Sequence, residues 1–239
     1  MSGLHESPAA GPNPMLDAFH AAMDLGTNLD EIRAESIARF GFAIPSDEAL
    51  EAIARCSPHG VVEVGAGTGY WAAVLQQRGV DVVAFDIEPA PSSKNPWFAG
   101  AHPWHPVDQG DHHVVEGHSE RTLLIVWPTK NEIWAAAAAE EYHAVGGQCL
   151  VFVGEGPGGR TGDDAFHAVL GELTSCVQCE YGSMTSPCIC DVVARWRRTA
   201  TIELPQWPGF HDDLQIYARE TSGNDKRQRR SWARRAARV

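Results

Sequence analysis

Residues 61–89 read VVEVGAGTGYWAAVLQQRGVDVVAFDIEP. A short apolar run interrupted only by Glu63 leads into five residues of which three are glycine. Residues 70–78 then suit a helix, and 80–86 form a second apolar run ending in Asp86. A buried strand, a glycine-rich turn, a helix and a second buried strand make a βαβ unit, whose two strands lie parallel. Glycines in such a turn let backbone approach a ligand without side-chain obstruction.

The same rhythm continues on both sides. Apolar runs at 104–107, 122–127 and 148–153 predict further strands, with helices at 131–145 and 163–173 between and after them. Continuously apolar strands joined by helical crossovers indicate a parallel sheet covered on both faces. Near the end, 196–204 and 214–219 flank the Pro-Gly loop PQWPGFHDD, which predicts an antiparallel hairpin. Upstream, Met15, Leu16, Phe19, Met23, Ile32, Ile37 and Phe40 fall at helical spacing, and Gly26-Thr27-Asn28 divides them into two short helices. Ser46 after Pro45 is a helix cap for the amphipathic stretch that Ser57-Pro58 closes.

The chain has 239 residues, 44% of them hydrophobic and 21% charged, enough for one large domain with a cap. No apolar run approaches the roughly 20 residues of a membrane span, and the opening MSGLHESPAAGPNP is not a secretory signal, so a cytoplasmic protein is expected. Its six cysteines are therefore expected to be reduced thiols. The net charge of −12 hides an asymmetry: KRQRRSWARRAARV at the end holds seven Lys or Arg and no acid, leaving −19 on residues 1–225. An acidic body argues against nucleic acid as a general partner, while the basic tail could meet a peptide or protein.

Dinucleotide-binding turns carry G-x-G-x-x-G, and here Tyr70 stands where the third glycine would be. An acid followed by G-x-G-x-G, carried by Glu63, Gly65, Gly67 and Gly69, instead resembles motif I of class I S-adenosylmethionine-dependent methyltransferases. The resemblance covers about residues 46–220. It implies an α/β fold with a doubly wound, mainly parallel seven-stranded sheet and an antiparallel C-terminal hairpin. It also implies S-adenosylmethionine as methyl donor and S-adenosylhomocysteine as product. Asp86 then meets the ribose hydroxyls, with Ile87 beside it, and Asp111 of the Gly110-Asp111 pair meets the adenine amino group. Ala66 completes the turn, and Tyr70 and Trp127 border the remainder of the cofactor.

The acceptor belongs beyond the carboxyl ends of the strands. The motif Trp127-Pro128-Thr129-Lys130 keeps one proline of the pattern seen in methyltransferases of base or amide amines and lacks its Asn or Asp, which argues against a nucleobase amine. Glu155 is a candidate base and Arg160 a partner for a substrate carboxylate. His211 beside Asp212 is the leading acid/base pair in the chain. Pro128, Arg160, Trp207 and Phe42 are the expected acceptor-binding residues, with Trp97 and Trp104 adding to an enclosed, partly apolar pocket.

Five histidines fall between 102 and 118, but their intervals match no familiar zinc pattern. Cys176, Cys179, Cys188 and Cys190 form C-x2-C-x8-C-x-C, which could wrap zinc or simply pack. No metal is assigned. The expected organisation is an N-terminal segment and helical lid (1–45), a methyltransferase domain (46–220) and a disordered basic tail (221–239). The expected activity is methyl transfer to O, N or S of a small acceptor, in which alignment supplies much of the rate. The alternatives are peptide or protein methylation guided by the tail, a nucleoside-binding module without chemistry, or an NAD-dependent oxidoreductase.

Overall fold

The computed structural model describes residues 11–173 and 194–220. One seven-stranded sheet organises them. Its strands are β1 (Val61–Val64), β2 (Val82–Asp86), β3 (Asp108–Gln109), β4 (Thr122–Val126), β5 (Cys149–Gly154), β6 (Trp196–Glu203) and β7 (Asp213–Arg219). They lie in the order β3-β2-β1-β4-β5-β7-β6, parallel from β3 to β5, with β7 antiparallel to both β5 and β6. The doubly wound sheet with a closing hairpin is thus the architecture expected.

Alternation along each strand divides the interior into two cores. Val61, Leu124, Val151 and Val153 face the helices α1 (Pro14–Leu25), α3 (Asp47–Cys56) and α4 (Tyr70–Gln76). Val62, Val64, Leu123, Ile125, Leu150 and Phe152 face α5 (Trp134–Ala144) and α6 (Asp164–Val169). Five alanines in a row let α5 lie close on its face, and four of its alanines are buried. Each helix start has a local cause. The Ser46 hydroxyl accepts from Ala49 N at 3.2 Å, and the Asp163 carboxylate accepts from Phe166 N at 2.8 Å.

Polar contacts dock α1. Asn13 caps it by accepting from Leu16 N, donates to Pro45 O at 2.7 Å, and accepts from the Tyr70 hydroxyl at 2.8 Å. That hydroxyl in turn accepts from Met15 N at 3.0 Å. The helix α2 (Leu29–Arg39) is anchored differently. Ser36 is its one buried residue, and Arg33 lies 3.8 Å above the ring of Phe210.

Some elements depart from the sequence expectation. Residues 104–107 do not pair as a strand, because Trp104 stacks on Phe40 at 5.2 Å and Trp104 N donates to Thr68 O at 2.8 Å. Pairing with β2 begins only at Asp108. The helix expected from 131 begins at Trp134, since Asn131 sits in the left-handed region at φ 63°. A 3-10 turn at His112–Gly117, unforeseen in the sequence, follows β3. Cys176, Cys179, Cys188, Cys190 and the basic tail lie outside the described residues.

Removing the Tyr70 hydroxyl leaves Met15 N and Asn13 short of a buried partner, so Tyr70→Phe is expected to destabilise the fold by about 1–2 kcal/mol. Urea unfolding should show a lower midpoint at unchanged slope.

Candidate functional site

At the carboxyl ends of β1, β2 and β4 lies a cavity of about 590 Å3, floored by the glycine turn. Gly65 and Gly67 have φ of 74° and 56°, a region where a side chain is strained. There is no space for one either. A Cβ on Gly65 would stand 2.7 Å from Trp134 Cη2, and one on Gly67 would stand 2.5 Å from Phe98 Cε2.

The turn's amides point inward. Gly65 N and Ala66 N both donate to Phe85 O at 2.9 and 3.0 Å, and Gly69 N donates to Ala66 O at 2.8 Å. Gly67 N donates to Asp86 Oδ2 at 2.8 Å. With these four engaged, the turn has lost most of the N–H array that holds a diphosphate.

Acceptors dominate instead. Asp86 is 9% exposed; its Oδ2 takes the Gly67 amide and its Oδ1 takes Glu88 N at 2.9 Å. Burial raises its pKa against the pull of those two amides. Each oxygen keeps a lone pair for a ligand donor. Glu63 is 1% exposed, and its Oε2 has no partner among the described residues. Burial pushes its pKa up to about 8, the Ala72 amide opposes this, and the charge of Asp86 adds to it. Asp111 reaches the rim, where Oδ1 accepts from His113 N at 3.0 Å. Ile87 also lines the cavity and is 68% exposed.

Aromatic rings make the opposite wall. Phe42 stacks on Trp127 at 4.5 Å and meets Trp97 and Phe98 edge-on at 5.5 and 6.1 Å. Trp127 adopts φ 50°, a left-handed conformation that costs a bulky residue about 1–2 kcal/mol. Two bonds hold it there: Trp127 N donates to Val153 O at 2.8 Å, and the indole N–H donates to Asp212 Oδ1 at 2.7 Å. The strained residue is thereby fixed with its ring on the cavity.

The structure redistributes the expected catalytic set. His211 is exposed, whereas Asp212 is buried with its carboxylate on Trp127, so no imidazole–carboxylate pair forms. Glu155 is also engaged. Its Oε2 accepts from Arg160 N at 2.8 Å, and its Oε1 accepts from Arg160 Nη1 at 2.8 Å and His211 N at 3.2 Å. It shapes the loop and is not poised as a base. Trp207, expected at the acceptor, is instead a core residue against Phe19, and Pro128 is buried behind the wall. Tyr70 lines the cavity with its ring while its hydroxyl anchors α1; Gly69 packs under Val107 and His105. Arg160 and Phe42 do line the cavity.

Phe40 and Lys130 line it too, as do Phe98 and Trp134, which were not singled out in the sequence. Phe98 lies in an insertion without periodicity and Trp134 at a helix start, so only their aromatic character close after a strand could have marked them.

No protein-family model matches the chain, and no curated protein matches it. Among solved structures it is similar to 1,6-didemethyltoxoflavin-N1-methyltransferase of Burkholderia thailandensis with bound 1,6-didemethyltoxoflavin and S-adenosylhomocysteine. That likeness has 15% identity and a TM-score of 0.45 over 91% of this chain and 93% of the other. It is also similar to magnesium protoporphyrin IX methyltransferase of Synechocystis PCC 6803 with bound SAM. Here identity is 12% and the TM-score 0.43, over 88% of this chain and 86% of the other. Among the described residues no helix is long and apolar enough to cross a membrane.

Asp212 has its pKa raised to about 6, first by burial and then by the charges of Glu155 and Asp213, against the indole N–H. The folded state thus holds this proton longer than the unfolded chain, and the group's contribution to stability falls as pH climbs from about 4 to about 6. Tryptophan emission of the folded protein should titrate with a midpoint near that value, and Asp212→Asn should remove the step.

Proposed function

We propose that the chain is an S-adenosylmethionine-dependent methyltransferase acting on a small-molecule acceptor. The carrying observation is the pairing of inward-turned glycine amides with two carboxylates that keep acceptor capacity toward one cavity, Glu63 and Asp86. Such a site favours a ligand with hydroxyl donors and a cationic centre over one with a diphosphate. A nucleoside joined to a cationic amino acid has those groups, and the residues present fit it.

In this reading Asp86 accepts from the ribose diol, Ile87 lies against the adenine and Asp111 accepts from its amino group. Glu63 faces the ammonium end. The bound cofactor supplies an electrophilic methyl on sulfur. The chain's own residues orient and dry the site: Phe42, Trp97, Phe98 and Trp127 form a wall that limits water, Lys130 offers positive charge for an anionic group on the acceptor, and Arg160, ion-paired with Glu155 through Nη1, offers its remaining N–H groups. With Glu155 and Asp212 already engaged, catalysis by alignment fits better than catalysis by a dedicated base. The cavity volume falls within the range of small-ligand sites. The helices of residues 1–45 act as a lid over the 46–220 domain.

Binding can be measured by calorimetry with S-adenosylmethionine, S-adenosylhomocysteine and NAD. Asp86→Ala should weaken the adenosyl ligands by about 10–100-fold, the equivalent of one or two charged hydrogen bonds. Glu63 is mostly protonated at pH 6.5, and a cation beside it favours ionisation, so binding should release a proton. Buffers of different ionisation heat should reveal that release, and Glu63→Gln should abolish it. Binding of NAD in place of the adenosyl ligands would overturn the reading. Labelled methyl appearing in small molecules, undiminished on deletion of residues 223–239, separates this activity from tail-guided protein methylation and from a module without chemistry.

A further inference from the structure

Two of the five clustered histidines meet a partner that their own segment does not supply. The 3-10 turn carries His112 and His113, and α5 brings Glu141 across from 28 residues away. His113 Nδ1 lies 3.0 Å from Glu141 Oε2, and His112 Nε2 lies 3.6 Å from Glu141 Oε1. Glu116, at the other end of the turn, closes the group: ligand atoms of His113, Glu116 and Glu141 all lie within 4.8 Å of one another. His112 and His113 meet the same limit with Asp111.

These spacings suit a shared ion. Two ligand atoms each about 2.0–2.1 Å from a tetrahedral metal stand about 3.3 Å apart, and the two imidazole–carboxylate separations bracket that span. The purely electrostatic alternative is poorer. Neutral imidazoles can each donate one N–H to Glu141, but this leaves the Glu116 and Glu141 carboxylates within 4.8 Å of one another, where their charges repel. A divalent ion between them offsets that repulsion and takes neutral His113 as a further ligand. The ligand set of nitrogen and carboxylate oxygen suits zinc, cobalt or nickel rather than the soft thiolate-loving metals.

The geometry points to a divalent transition-metal site formed by His113, Glu116 and Glu141. Neither spacing nor periodicity could announce it, because two ligands sit on a turn and a third arrives from a helix. The site ties the turn that Asp111 caps to α5, beside the cavity rim that His112 lines. It does not depend on the methyltransferase reading.

The test uses full-length, tag-free protein stripped with chelator and titrated with Co2+. One equivalent should bind with weak visible ligand-field bands and no intense near-ultraviolet thiolate band. His113→Ala and Glu141→Gln should each lower the affinity at least ten-fold. A variant with Cys176, Cys179, Cys188 and Cys190 all changed to Ser should bind as the parent does. Glu116 is exposed, so Glu116→Gln offers a substitution that leaves packing alone, and it too should weaken binding. No Co2+ binding, a thiolate band that vanishes with the cysteines, or unchanged affinity in the His113 and Glu141 variants would overturn the assignment.

Discussion

One hydrogen bond, from the Gly67 amide to Asp86, joins the ends of β1 and β2 and decides what the turn between them can hold. It withdraws an N–H from the cavity and fixes a carboxylate at its edge. With Gly65 and Ala66 turned onto Phe85 O, the floor of the site becomes a set of acceptors on a backbone without side chains. The sign of the site's chemistry follows. A glycine-rich turn of the same spacing with its amides free would recruit anions, whereas this one recruits donors and cations.

Much of this was legible in the sequence. Apolar runs in β1, β4 and β5, broken only by Glu63 in β1, required burial on both faces, and the positions of Ser46, Gly65 and Asp86 marked a cap, a turn and a strand end. The illegible parts share a physical cause. Adjacent residues in an extended segment point to opposite sides, so His211 emerges into solvent while Asp212 turns inward to Trp127; a dipeptide is poor evidence for a side-chain pair. Trp207 looked like a pocket residue because it sits in a loop, yet that loop folds under α1. Phe98 lies in an insertion without periodicity, and its place over Gly67 depends on tertiary packing alone.

The aromatic wall carries a further compromise. Trp127 reaches the cavity only by leaving the favoured backbone region, and Asp212, buried and reluctant to ionise, is its counterweight. Neither residue is at its own optimum. Together they hold a large ring steady at the end of β4, which neither a flexible loop nor an unstrained strand terminus would do.

The helix α2 hangs from the molecule by the thinnest attachment of the N-terminal region. Arg33 and Arg160 lie on the ring of Phe210 at 3.8 and 4.4 Å, and little aliphatic surface of α2 is buried. Gly26 and Gly41, at φ 65° and 133°, sit at either end of it. A segment bounded by two such glycines, with Ser36 buried and Leu29 and Ile32 only partly covered, has less to lose by coming away than α1, which stays moored through Asn13. Amide exchange should therefore be graded along the chain's start, quick in α2 and slow in α1.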